Sequence, residues 1–179
     1  MDQIGFDDWR AWVTARAHGR VLEIGVGTGL NFSYYNDAAR VVAFDPDVEM
    51  LAEIAPTDLA SSHFEIAQAS AEELPFPTES FDAAVGTLVF CTIPNAPRAL
   101  AEVRRVLKPG ASLRLVEHVR AHNRIVAGVQ DVFTPVWKPL AGGCHLNRDT
   151  LSTVRAAGYE ILNVQRKWRG LILGIDARK

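Results

Sequence analysis

Five short runs of branched and aromatic residues, at 20–24, 41–45, 63–67, 81–87 and 112–117, are separated by longer stretches whose apolar residues recur every three or four positions. Runs that are apolar on both faces predict strands buried between two layers. The helical spacing between them predicts crossover connections, so the chain is expected to form an α/β domain with a mostly parallel sheet and helices on both faces. Across 97–107, Leu100, Val103, Val106 and Leu107 keep the helical interval, and Lys108-Pro109-Gly110 supplies a last-turn cation, a helix breaker and a glycine to end it. A helix over 7–17 with Trp9, Trp12, Val13 and Ala17 on one face is expected within the leading segment 1–19. At the other end, a helix over 148–157 stops at Gly158. Two apolar runs follow at 159–165 and 171–177, parted by Trp168-Arg169-Gly170, and they predict an antiparallel hairpin at the sheet edge.

With 179 residues, 48% of them hydrophobic, the chain can bury one sizeable core, and no linker, repeat or low-complexity tract divides it; one domain over 1–179 is expected. A formal charge of -2, a pI near 6.2 and scattered Lys and Arg argue against nucleic acid as a partner. Cys91 and Cys144 lie far apart and outside any CxxC pair, so neither a disulfide framework nor a metal site is expected, and a reducing cytoplasm fits. No apolar run reaches the roughly 20 residues of a membrane span. The first eight residues are too acidic for a signal peptide, and a soluble cytoplasmic protein is expected.

The strongest local signal is Glu23-Ile24-Gly25-Val26-Gly27-Thr28-Gly29, which follows the first run and precedes a segment expected to be helical. Alternate glycines let a backbone turn sharply and approach a ligand where a Cβ would collide. A dinucleotide fingerprint needs G-x-G-x-x-G, and its third position here is Leu30. The E-x-G-x-G-x-G spacing suits S-adenosylmethionine better. That cofactor has no phosphate but carries a zwitterionic methionine end and a cationic sulfur, beside which the Glu23 carboxylate is electrostatically apt. A glycine-rich turn that binds nothing is the alternative. Asp45 ends the second run, where one carboxylate can take both hydroxyls of an adenosine ribose. It also fits a helix N-cap, with Pro46 at the first helical position and Glu49 in the first turn; the two roles are compatible. Pro46 and Met50 would then offer apolar surface to the adenine.

Three further stretches follow in order: Ala69-Ser70-Ala71-Glu72-Glu73-Leu74-Pro75-Phe76, Ser80-Phe81-Asp82, and Leu100 through Gly110. Together with the glycine turn they resemble the class I methyltransferases of the ubiquinone and menaquinone type, over about 20–117. The resemblance implies a Rossmann-like, seven-stranded sheet, S-adenosylmethionine at the carboxyl ends of its strands, and no metal. Gly25, Gly27 and Gly29 would contact the methionine end and sulfur, and Asp45 the ribose. Ser70 and Ala71 would read adenine through a backbone N–H and a side-chain oxygen, with Ser70 standing where the family often has Asp. Thr87 and Leu88 would line the remaining wall. Thr87-Leu88-Val89-Phe90-Cys91-Thr92, Glu117-His118-Val119 and Gly142 through Arg148 are similar to the methyltransferase-like alkyl thiol S-methyltransferases. Those animal proteins begin with a hydrophobic anchoring segment for which this sequence has no counterpart, so membrane association is not carried over.

Methyl transfer from a sulfonium is an in-line displacement, so few side chains need do chemistry. The candidate base for the acceptor is His118, just past the fifth strand, with His145 and Asp131 as further candidates; each also reads as a structural residue. Cys144 reads as a small buried packing residue, with a reactive thiol as the alternative. The segment 120–146, with Val129, Phe133, Val136 and Trp137, is expected to cap an apolar acceptor pocket or else to cover the sheet. The expected activity is methylation of a small, fairly apolar acceptor, a thiol first. The alternatives are a C- or O-methyltransferase for a quinone or phenol, and a binding module without catalysis. Methylation of nucleobase nitrogen is disfavoured, because Leu88-Val89-Phe90-Cys91 replaces the Asn/Asp-Pro-Pro-aromatic clamp after the fourth strand.

Overall fold

Seven strands, β1 (Gly19–Ile24), β2 (Ala39–Asp45), β3 (Phe64–Gln68), β4 (Phe81–Thr87), β5 (Leu107–His118), β6 (Glu160–Lys167) and β7 (Ile172–Arg178), make one sheet in the order β3-β2-β1-β4-β5-β7-β6 in the computed structural model, which describes residues 6–55, 63–140 and 142–179. The first five strands are parallel, and β7 runs antiparallel to both β5 and β6. The expected edge hairpin is therefore present, with β7 inserted beside β5 and β6 at the edge.

Successive residues of each strand point to opposite faces, and both faces are apolar. On one, Leu22, Ile24, Phe44, Ala84 and Leu115 pack with Leu100 and Val103 of α3 (Ala96–Val106) and Val154 of α5 (Thr150–Ala156). On the other, Val21, Val41, Ala43, Val85 and Val116 pack with Trp9 and Val13 of α1 (Asp7–Thr14). Asp7 and Asp8 sit in the first turn of α1, and Arg104 and Arg105 in the last turn of α3, each sign matched to its helix end.

The conspicuous run from Leu100 to Gly110 has a clear physical task. The Arg105 guanidinium donates to the carbonyls of Leu74 and Phe76 and to Glu102, while Glu102 accepts the Leu74 N–H at 3.0 Å. Helix α3 thereby fixes Leu74 and Phe76 in the segment that leaves β3. Lys108-Pro109-Gly110 falls within β5, because Leu107 already pairs with Phe81.

Two local expectations change. The glycine turn leads into a single 3-10 turn, Phe32–Tyr34, not an α-helix. Asn31 and Asn36 commit their side chains to Glu23, Thr87 and the Ala38 N–H, bonds that compete with helix continuation. The cap of α2 (Val48–Ala52) is Asp47, which accepts from Glu49 and Met50 N–H, so Asp45 is not the cap. No helix among the described residues is long and apolar enough to cross a membrane.

Gly174 of β7 lies directly under α1. A Cβ there would stand 2.5 Å from the Trp9 ring and 3.2 Å from Trp12. Neither ring is free to yield: Trp9 is buried and meets Trp12 edge-to-face at 5.8 Å, and Trp12 lies under the Arg114 guanidinium at 3.9 Å. Gly174→Ala is expected to cost about 1–3 kcal/mol of stability, as overpacking does. The measurement is a denaturant titration, which should show a lower midpoint with an unchanged slope.

Candidate active site

The turn after β1 and the end of β2 are joined by one bond. The Gly27 N–H donates to Asp45 Oδ2 at 3.0 Å, and the Asp47 N–H donates to Asp45 Oδ1 at 3.0 Å. Gly25 and Gly27 both have positive φ, 63° and 55°, which a side chain rarely tolerates. Their surroundings differ. A Cβ on Gly25 would collide with the Val89 side chain, whereas nothing lies within 4 Å of where one on Gly27 would stand. Gly27 thus faces open space beside a half-buried carboxylate. Gly29 closes the turn by donating to the Val26 carbonyl at 3.0 Å. The Ala69 N–H donates to the Asp45 carbonyl at 3.2 Å, which brings Ser70 and Ala71 alongside. Ser70 Oγ accepts the Glu72 N–H, and Pro46 and Met50 are exposed at the rim.

Glu23 lies beneath this turn, fully buried on the α1 side. Asn31 donates from one amide nitrogen to Glu23 Oε1 at 2.9 Å and to Thr87 Oγ1 at 3.1 Å, and Arg10 donates to the Asn31 carbonyl oxygen at 2.8 Å. Glu23 Oε2 has no hydrogen-bond partner among the described residues; the buried Tyr35 hydroxyl lies beside it without closing a bond of normal geometry. Burial pushes the Glu23 carboxyl up to about 7, against the opposing pull of Asn31, Tyr35 and Arg10.

A second buried carboxylate organises the turn after β4. Glu117 Oε1 accepts the N–H groups of Val89 and Phe90 at 3.1 and 2.8 Å, and Oε2 that of Cys91 at 3.1 Å. This staple holds Leu88 in a left-handed conformation, φ 57°, where a branched residue is seldom found. It also presses Val89 against Gly25. The Glu117 carboxyl is likewise lifted by burial to about 7, the three N–H donors opposing.

His118 is half-buried at the carboxyl end of β5. It and Trp137 are near enough to the Cys144 thiol to favour its thiolate. His145 is tied elsewhere: its backbone N–H donates to the Cys91 carbonyl at 2.8 Å, and its Nδ1 lies 3.1 Å from the same oxygen and 3.3 Å from the Arg148 guanidinium. Asp131 is exposed on α4 (Arg124–Leu140), held by both Arg120 nitrogens at 2.7 and 2.9 Å and by Asn147 at 3.0 Å. Arg120 first, then Asn147, keeps its carboxyl below the usual range. Of the three candidate bases, only the His118 side chain shows no such tether to a carbonyl or a cation among the described residues.

Helix α4 spans most of the expected cap, but its faces are reversed. Ala127, Gln130 and Thr134 face the protein, and the Gln130 amide bonds Ala121, Val119 and Leu146. Val129, Phe133 and Val136 are 52%, 59% and 63% exposed, so they do not form the buried inner wall that their apolar character suggested. Trp137 alone among the expected lining residues reaches the Cys144 side.

Sequence reasoning missed Asn31, Glu117 and Arg148, whose guanidinium donates to the Phe90 and Ile93 carbonyls. Glu117 carried a readable signal, an acid ending an otherwise apolar strand. Arg148 lay in a stretch singled out by resemblance but with no role attached, and Asn31 carried no signal.

Residues 22–115 match the family described as Methyltransferase domain. Thiol S-methyltransferase TMT1B of Homo sapiens is 34% identical over 158 residues, which are 84% of this chain and 65% of that protein. Ubiquinone/menaquinone biosynthesis C-methyltransferase UbiE of Hahella chejuensis is 34% identical over 135 residues, 71% of this chain and 54% of that protein. The chain thus spans less than two thirds of the length of either relative. Among solved structures, the cyclase SpnF aligns with a TM-score of 0.77 at 22% identity, over 96% of this chain and 78% of its own, a likeness of fold alone.

The buried Glu23 sets a pH dependence. A carboxyl raised in the folded state contributes stability that is fully present below its unfolded value, 4.5, and lost as pH climbs through the folded value, about 7. Glu23→Gln keeps an oxygen for Asn31 and removes the titration. Thermal unfolding between about pH 5 and 8 should therefore show a smaller loss of stability in the variant than in the wild type, by on the order of 2–3 kcal/mol; parallel curves would contradict the burial argument.

Proposed function

The chain belongs to the Methyltransferase domain family, and from that premise we propose that it transfers the methyl group of S-adenosylmethionine to a small, fairly apolar thiol. The observation that carries the cofactor half of this reading is the 3.0 Å bond between Gly27 and Asp45 beside open space. Each Asp45 oxygen accepts one N–H and keeps acceptor capacity for one ribose hydroxyl. Ser70 and Ala71 offer an N–H and a hydroxyl to the adenine edge, and Pro46 and Met50 offer apolar surface to its ring. Gly25, Gly27 and Gly29, with Thr87 and Leu88 opposite, form the wall for the methionine end. Glu23, through Asn31, holds the turn and adds negative potential beneath a cationic sulfur. These residues fit the cofactor, which when bound supplies a methyl group on a sulfonium.

What the chain itself must do is align the acceptor and exclude water. His118 is assigned to take the acceptor's proton, since an imidazole nitrogen at the carboxyl end of β5 can accept one from a thiol. Cys144 and Trp137, soft and apolar, flank it. The thiol acceptor is supported by the similarity to a protein named for that activity, and the two free, buried cysteines fit a reducing cytoplasm. A carbon acceptor such as a quinone is the second reading, favoured by the similarity to UbiE.

Calorimetry with S-adenosylhomocysteine should show binding by the wild type and at least about tenfold weaker binding by Asp45→Ala, the loss expected for a charged acceptor of two hydrogen bonds. An unchanged affinity removes the ribose assignment. A turnover screen across alkyl thiols, phenols, quinones and amines should find thiols alone methylated, and His118→Asn should lower that rate about a hundredfold while cofactor affinity holds. Turnover of quinones but not thiols would establish the second reading, and silence with intact cofactor binding would leave a binding module.

A further inference from the structure

The chain has two cysteines, and the fold brings them together. Cys91 belongs to the turn after β4 and Cys144 to the loop after α4; both are buried free thiols. The two segments are held face to face by His145, whose N–H and ring nitrogen lie 2.8 and 3.1 Å from the Cys91 carbonyl. Arg148 adds a bond to the Ile93 carbonyl at 2.6 Å. Within that frame the Cys91 thiol donates to the Leu88 carbonyl at 3.4 Å, and the two thiols are near enough that each acts on the other's ionisation, as His118 and Trp137 act on that of Cys144.

We propose that Cys91 and Cys144 are a redox-active dithiol, which a small-molecule disulfide converts to an intramolecular disulfide that shuts the acceptor side of the site. The pairing stands on the chain's own geometry; its effect on methyl transfer rests on the function proposed above. The thiols differ in the way such an exchange requires. Cys91, then His118, favours the thiolate of Cys144, while Cys144, burial and the Glu117 carboxylate favour the thiol of Cys91. Cys144 is also the more accessible, 6% against 1%.

Cys144 thiolate attacks one sulfur of the external disulfide, forming a mixed disulfide and expelling one thiolate. Cys91 then loses its proton, attacks the Cys144 sulfur and expels the second thiolate. The protein loses two hydrogens and the external disulfide is reduced to two thiols. The oxidised form of a thiol acceptor would itself serve as the reagent. The new bond ties the turn carrying Leu88 and Val89 to the loop beside His118, but leaves Gly27 and Asp45 untouched.

The test treats the native chain with excess 2-hydroxyethyl disulfide, then counts free thiols and maps peptides by mass spectrometry. The result expected is loss of both thiols, a mass lower by two hydrogens, and a linked peptide joining Cys91 to Cys144, all reversed by reductant. Cys91→Ser should stop at a mixed disulfide on Cys144. The oxidised protein should bind S-adenosylhomocysteine within about twofold of the reduced protein and lose at least about tenfold in methyl transfer, since only acceptor alignment is disturbed. Persistent mixed disulfides on both cysteines, a cross-link between chains, or unreacted thiols would overturn the pairing, and a linked protein with full turnover would overturn its effect. The peptide map needs no turnover, so it decides the pairing even if the chain proves not to methylate thiols.

Discussion

The bond from Gly27 to Asp45 is what holds open the crevice proposed for the cofactor. Parallel strands deliver their carboxyl ends to one edge, and the chain must leave β1 and β2 there without filling the crevice between them. A side chain at residue 27 would occupy that crevice, and a longer exit from β2 would bridge it. A bare backbone N–H meeting a short carboxylate holds the two exits together while spending none of the space. Asp47 supports the arrangement by capping α2, which releases the Asp45 side chain from that duty.

Buried carboxylates buttress the crevice on two sides. Glu23 acts through Asn31 on the glycine turn and on Thr87, while Glu117 gathers three N–H groups of the turn after β4. Each is lifted to about 7, so each is partly protonated near neutrality and the fold bears a desolvation cost to keep it there. That cost is understandable if this edge holds the cofactor as proposed, because its turns must then be rigid but cannot be braced from the solvent side. Arg105 performs the matching task for the segment after β3.

Strand content was legible because its cause is local: doubly buried strands demand branched apolar runs, and 81–87 coincides with β4 to the residue. The glycine turn and Asp45 were legible because positive φ and a strand-end carboxylate leave marks on residue type. The helix expected after the glycine turn failed because Asn31 and Asn36 spend their side chains on tertiary bonds, which no periodicity reveals. The cap assignment failed by two positions, since Asp45 and Asp47 both satisfy the capping pattern and only the fold decides between them. Helix α4 was the hardest case. Its apolar stripe predicted an inner face, yet its inward contacts are made by Ala127, Gln130 and Thr134, because the groups it must meet are backbone amides and carbonyls of the loops at Val119, Ala121 and Leu146. The meeting of Cys91 with Cys144 depends wholly on long-range packing and left no trace in spacing.

The most direct measurement of the central claim is a crystal structure of the chain with S-adenosylhomocysteine. The account requires both ribose hydroxyls on the Asp45 carboxylate and the amino-acid end over the Gly27 turn, with the Gly27–Asp45 bond kept. A ligand seated elsewhere, or a Gly27 turn drawn away from Asp45 to admit it, would contradict the account.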